Sequence, residues 1–326
     1  MSIPGPRNSA PLRILHHLQK PSLWPETLQH RSPQPTSSIK RSNMATRALV
    51  VGGTGGIGYA IACRIAADSA TSTVIISGRN KPSNIPHANI EFRLLDASSM
   101  QSIKKYTDAY KAATPEKSLD LLVLTQGILT TAGRTETPEG IDYKMALHYY
   151  GRQLLIRELT PALKDDAKVL VVLDGVRGSP PAKLNWDDLD LKTHFSLASA
   201  ADHCISMNDA MIQVHAQEGT RHFVHAYPGL VRTEIFHTLP WYMRVPLRPF
   251  TVLLGVTADT CAQNLIKGTY EFSSAEDKDG KLWGCIDAKG HVVPNKPTWS
   301  DVELKKVADH TWDIVDKAIR QQDSQL

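Results

Sequence analysis

Gly52, Gly53, Thr54, Gly56, Ile57 and Gly58 stand in one run, GGTGGIG, between the apolar segment RALVV and the helical pattern GIGYAIACRIAADSA. In such a run one glycine allows a tight turn, one lets the backbone approach a pyrophosphate, and one lets helix pack on strand. The helix N-terminus then faces the phosphates. That chemistry is dinucleotide binding. The next apolar segment ends in SGRN, without the acid that would bond a ribose 2′-hydroxyl. It carries Arg79 and Asn80 instead, and a planar guanidinium suits a 2′-phosphate. NADP(H) is therefore the expected cofactor, with a merely solvated Arg79 as the alternative. Asp96, in LLDASS, either accepts from the adenine amino group or caps the following helix.

These residues need a scaffold, and the pattern supplies one. Apolar runs at RALVVGG, STVIISGRN, IEFRLLDASS, LDLLVLTQG, AKVLVVLDG and RHFVHAYPG read as six strands. Helical patterns lie between them, including SMQSIKKYTDAYKAA, the long GIDYKMALHYYGRQLLIRELTPAL and SAADHCISMNDAMIQVHAQEG. Strands that are apolar throughout suit a sheet covered on both faces. The alternation predicts an α/β fold, a doubly wound parallel sheet of Rossmann-like, three-layer form in a single domain over residues 44–326. Residues 234–260, with LPWYMRVPLRPF, read as an irregular lid over a cleft. KLWGCIDAKGHVV reads as a last strand and hairpin. An amphipathic helix is expected over about 300–320, capped by Ser300 with Glu303 three residues on.

Together these segments resemble the short-chain dehydrogenase/reductase (SDR) superfamily over about residues 46–290. GGTGGIG is similar to its TGxxxGxG loop, with Val51 in place of Thr. LDLLVLTQGI is similar to the strand ending in NNAG, and places Gln126 and Gly127 at the cofactor. AYPGLVRTEI resembles the PG segment, in which Pro228 and Gly229 shape the loop and Thr233 would bind the carboxamide of the nicotinamide. The wording around HFSLASAADH is similar to a divergent branch found among fungal natural-product genes, which implies an oxidoreductase of secondary metabolism.

The family's tetrad of Asn, Ser, Tyr and Lys is missing. The resemblance sets these four positions at His148, Gly175 (or Asp174, one residue away), Phe195 and Ser199. No Tyr in the chain is followed four residues later by Lys. Phe cannot donate a proton, and Ser brings no charge that would depress a neighbour's pKa. Three residues are candidates for the proton instead. His148 titrates near neutral pH; its alternative is a helix His satisfied in the core or facing another subunit. Asp174 stands at the C-terminal edge of a strand, where α/β sheets bind ligands, but DG is also a turn signature. Tyr227 offers a phenol or is a packed aromatic. His203 and Arg134 are weaker candidates, for the proton and for an anionic substrate.

Charge and composition exclude several classes. Residues 1–43 carry a net charge of +5, and the rest of the chain a net of −1. The basic balance thus belongs to a Pro- and Ser-rich segment, expected to be disordered, and gives the folded part no case for nucleic-acid binding. Four cysteines without a CxxC pair suggest no metal site and a reducing compartment. No apolar run is long enough to span a membrane. A cytoplasmic protein is expected, or a mitochondrial one if residues 1–43 are a transit peptide; Met44 is an alternative start. The expected activity is NADP(H)-dependent oxidoreduction of a small apolar carbonyl or alcohol by a non-standard acid/base. The alternatives are a non-redox catalyst (isomerase, cyclase or dehydratase) and a silent nucleotide-binding protein. A homodimer or homotetramer is implied by the resemblance alone.

Overall fold

The computed structural model describes residues 45–178, 183–275 and 280–323. The expected disorder of residues 1–43 lies outside the described residues. Seven strands form one parallel sheet: β1 (Arg47–Val51), β2 (Thr73–Gly78), β3 (Ile90–Leu94), β4 (Leu119–Leu124), β5 (Leu163–Val172), β6 (His222–Ala226) and β7 (Trp283–Ile286). Their order is β3-β2-β1-β4-β5-β6-β7. The order reverses between β1 and β4, and this switch point is where an open α/β sheet makes a crevice beyond its strand ends.

Side chains alternate across each strand, so every strand feeds two cores. In β1, Leu49 and Val51 join the larger cluster with Met100, Leu155, Met207 and Val315. Ala48 and Val50 face the other way, onto Ile61, Ile65, Leu265 and Phe272. The first face is covered by α2 (Met100–Ala113), α4 (Gly151–Leu159), α5 (Leu197–Ala216) and α8 (Asp301–Asp323), the second by α1 (Gly56–Asp68) and α7 (Ala258–Ser274). The Ser300 cap forms as expected: its hydroxyl donates to Glu303 at 2.7 Å and accepts from the Glu303 N–H at 3.4 Å.

Two expectations are corrected. The long helix after β4 is not uniform. A short α3 (Tyr143–Met145) passes through a π-helical turn, Ala146–Tyr150, before α4 begins. Such turns insert a residue and swing the following side chains round the axis, often at functional sites. Residues 234–260 are more regular than their prolines suggest. A 3₁₀ turn, Glu234–Thr238, leads into a fourteen-residue helix, α6 (Trp241–Leu254), that contains Pro246 and Pro249. A proline in a helix removes one backbone bond. Here Tyr242 and Val245, the residues whose carbonyls lose that bond, are both exposed, so water can satisfy them.

Candidate active site

The nucleotide end is built by the β1–α1 turn. Gly52 and Gly56 adopt φ of +80° and +53°, the left-handed region that glycine tolerates at least cost. A Cβ on Gly58 would meet the Thr125 hydroxyl at 2.4 Å, so α1 closes directly on the end of β4. Gly55 caps α1 with no side-chain bond, and the first N–H to find a helix carbonyl is that of Tyr59, on Gly55. The amides before it point out of the helix end, where an anion would sit. Thr233 packs against Gly56, with its methyl 3.3 Å from where a Cβ would be. The Thr54 side chain lies over Gly78, at the end of β2.

Beside this turn, Gln126 is 6 % exposed, yet neither its amide nitrogen nor its oxygen has a partner among the described residues. A buried carboxamide without partners is costly, and a ligand in the crevice would relieve the cost. Gly127 follows it, and Pro228 and Gly229 (φ +72°) turn the chain after β6. At the end of β2, Arg79 and Asn80 are exposed, and Arg79 donates to the Tyr143 hydroxyl at 2.8 Å. Asp96 accepts from the N–H and hydroxyl of Ser98. It does not cap α2. Ser99 does, and Glu139 accepts from the N–H groups of Met100 and Gln101. A nicotinamide dinucleotide fits this cradle: the uncapped end of α1 is suited to phosphate, and the buried Gln126 amide lacks partners among the described residues.

At Gly175, one of the two positions that the resemblance gives for the tetrad's serine, the backbone leaves no room for a side chain. A Cβ on Gly175 would lie 2.1 Å from the His225 carbonyl oxygen, so no serine fits this backbone. The Phe195 ring lies 5.0 Å from the Lys144 ammonium. That lysine is itself held by Asp142 at 3.1 Å and the Gly133 carbonyl at 2.8 Å. Ser199 gives its N–H to the Ser196 side chain, which caps α5. The segment HFSLAS thus serves as a helix N-terminus.

His148 sits in the π-turn. Its Nε2 accepts from the Ile128 N–H at 2.9 Å, and its carbonyl accepts from Asn208 at 2.9 Å. His148 as a residue is half-buried. Burial first, then the nearby Arg152 and Lys144 charges, hold its pKa down to about 3. The ring is neutral at pH 7, and its Nε2 has no proton to give. Asp174 takes the N–H of Arg177 at 3.0 Å and its guanidinium at 2.6 Å. His203 accepts from Asn185 and bonds the Leu189 carbonyl. Arg134 donates to the Asp190 carbonyl and to Glu136. Tyr227 differs: half-buried at the end of β6, its hydroxyl has no hydrogen-bond partner among the described residues.

Sequence reasoning missed the buried polar frame beneath these residues. Arg152 is 1 % exposed and donates to the carbonyls of Leu147, Val172 and Gln126. It ties the ends of β4 and β5 to the π-turn. Burial without a carboxylate lowers its pKa to about 10. A second frame runs from the Asp174 N–H to His225 Nε2, from His225 Nδ1 to Asp209 at 2.5 Å, and from Asp209 to Lys296 at 2.6 Å. Asp209, His225 and Cys285 stand close enough to hold a metal. The Lys296 ammonium already supplies the positive charge there, and the His225 nitrogen facing Asp209 carries its proton. The only outward signal of these frames was charged residues inside apolar segments.

The model of the short chain dehydrogenase family matches residues 46–173. An oxidoreductase of Emericella nidulans is 32 % identical over 327 residues, covering 86 % of this chain and 98 % of its own. The chain belongs to the short-chain dehydrogenase family. This family member is also similar to human polyprenol dehydrogenase, 28 % identical over 233 residues that cover 65 % of this chain and 68 % of that one. Among solved structures, an NADPH-bound carbonyl reductase from chicken fatty liver superposes with a TM-score of 0.52 at 19 % identity, covering 76 % of this short-chain dehydrogenase and 98 % of the reductase. At that identity the likeness speaks for the fold.

Proposed function

We propose that this short-chain dehydrogenase is an NADP(H)-dependent oxidoreductase acting on an apolar alcohol or carbonyl compound. The observation that carries the reading is the nucleotide cradle, with the buried, partnerless Gln126 amide beside the uncapped end of α1. Arg79 favours the 2′-phosphorylated cofactor. Among relatives in fold, a chicken carbonyl reductase holds NADPH, a Burkholderia multivorans protein NADP and a Brucella melitensis reductase NADH, so the choice of NADP(H) rests on Arg79. The polyprenol dehydrogenase relative supports an apolar alcohol. So do Val176 and Leu197, both exposed beyond the C-terminal ends of the strands.

When bound, NADPH supplies a hydride. The chain's residues do the rest. The α1 amides and Arg79 hold the phosphates, Thr233 and Gln126 orient the nucleotide, and Gly52 admits it to the turn. Tyr227 carries the proton to or from the substrate oxygen, since His148 and Asp174 are committed to Ile128 and Arg177.

Calorimetry on the full chain tests the first half. NADPH is expected to bind more tightly than NADH, and Arg79→Ala to weaken NADPH about tenfold or more while sparing NADH. No binding of either nucleotide sinks the proposal. The second half is tested by NADPH consumption with apolar ketones, which Tyr227→Phe should abolish. The closed position at Gly175 favours one other reading, a non-redox catalyst that holds nucleotide; it would give product with no change in NADPH absorbance.

A further inference from the structure

α6 presents an apolar surface that the described fold does not use. Trp241 is 70 % exposed, Tyr242 61 %, and Leu253 80 %, with Val245 and Val252 more than half exposed. At 100° per residue these five fall in one arc of about 120° along the helix, and Met243 and Leu254, also exposed, extend the apolar surface to about 220°. Arg248 and Arg244, both exposed, flank that arc on one side. Thr251, buried, lies beyond them, on the side that meets the protein.

The charge of this segment has one sign. Between Glu234 and Asp259 the sequence contains Arg244 and Arg248 and no acidic residue. The segment is an excursion with a fixed neck. Val231 bridges Val256 in parallel, with the Arg232 N–H on the Val256 carbonyl and the Val256 N–H on the Leu230 carbonyl. Thr238 donates to the Leu129 carbonyl, which ties the excursion to the loop after β4.

We propose that α6 docks the enzyme on an anionic lipid bilayer, lying in the plane of the surface with Trp241, Tyr242, Val245, Val252 and Leu253 at the acyl boundary and Arg244 and Arg248 among the lipid phosphates. Tryptophan and tyrosine favour that boundary because their rings are apolar with a polar edge. At about 21 Å, fourteen helical residues are too short to cross a hydrocarbon core of about 30 Å, which excludes spanning and leaves the in-plane arrangement. A second copy of the chain fits less well. A two-fold contact through α6 would bring Arg244 and Arg248 of both copies together with no acid on the helix to meet them. An anionic surface meets both arginines and the apolar arc at once. The proposal does not depend on nucleotide binding.

The test is co-sedimentation of the full chain with phosphatidylcholine vesicles, with and without about 30 % phosphatidylserine. Binding is expected only to the anionic vesicles and is expected to fall as salt rises. Arg244→Glu with Arg248→Glu should lower partitioning about 25-fold or more, since each lost basic residue costs about fivefold before any repulsion. Trp241→Ser with Leu253→Ser should lower it comparably. These side chains are exposed, so melting temperatures should match the wild type. Binding undiminished in both variants overturns the proposal and assigns the affinity to another segment, such as the basic residues 1–43. No vesicle binding also overturns it. If, in addition, sedimentation shows a dimer that Trp241→Ser dissociates, the surface belongs to a second copy.

Discussion

His148 is expected to stay unprotonated in the folded enzyme well into the acid range, and this has a measurable consequence. Its pKa is held down to about 3 from the ordinary 6.5, by burial before any charge effect. The unfolded chain therefore takes up a proton below about pH 6.5 that the folded protein refuses. Folding stability contributed at this position is complete at pH 8 and is lost as the pH falls. At pH 5 the loss is about 2 kcal/mol, and any folded pKa under about 4.5 gives nearly the same figure. His148→Asn removes the titration and keeps an oxygen that can accept the Ile128 N–H. His215, also buried, with its pKa lowered to about 4, titrates in both proteins and cancels in the difference. Urea unfolding of both proteins at pH 8, 6.5 and 5 gives the comparison. The stability of the wild type relative to the variant should fall by about 2 kcal/mol between pH 8 and pH 5. A difference that stays constant would mean that the folded ring takes its proton near pH 6.5. That result would refute the burial argument and return His148 to the list of general acids.

Other outcomes follow from the same frames. Gly175→Ser should destabilise the fold by about 2–4 kcal/mol, read as a lower melting temperature, because its Cβ would stand 2.1 Å from the His225 carbonyl; it should not raise activity. Arg152→Met leaves the carbonyls of Leu147, Val172 and Gln126 without their donor. The expected cost is about 3 kcal/mol in urea unfolding, and Lys at this position should not rescue it, since one ammonium cannot span three sites. Asp209→Asn strands the buried Lys296 ammonium and should cost about 3–5 kcal/mol, partly recovered by adding Lys296→Met. Zinc should leave the wild-type melting temperature unchanged; a rise would show that Asp209, His225 and Cys285 do take a metal.

The fold was legible because it rests on short-range rules. β1, β2 and β4 carry apolar cores (ALVV, VII and LLVL), as a doubly covered sheet requires, and GGTGGIG needs its glycines where the turn makes φ positive. Ser300 and Glu303 announced their helix by spacing alone. The catalytic end was legible only as an absence. Phe195 and Ser199 showed that the tyrosine mechanism was missing, but not that Ser196 and Ser199 cap a helix there. The Ile128 N–H meets His148 only through the fold, and the burial that holds its pKa down comes from packing that spacing does not reveal; Arg152 and Arg177 lie only four and three residues from His148 and Asp174. α6 was misjudged because a local rule about proline was applied to a helix whose prolines face water.

The contact between Gly175 and His225 also bears on descent. Had serine been lost by a lone substitution, one reverse change would restore it. Here the β6 carbonyl stands in the space its side chain needs. A serine placed at Gly175 would lower stability at once, with no tyrosine mechanism to gain until Tyr and Lys also stood at Phe195 and Ser199. The filled space at Gly175 weighs against that return, and selection acts on whatever chemistry the remaining groups perform.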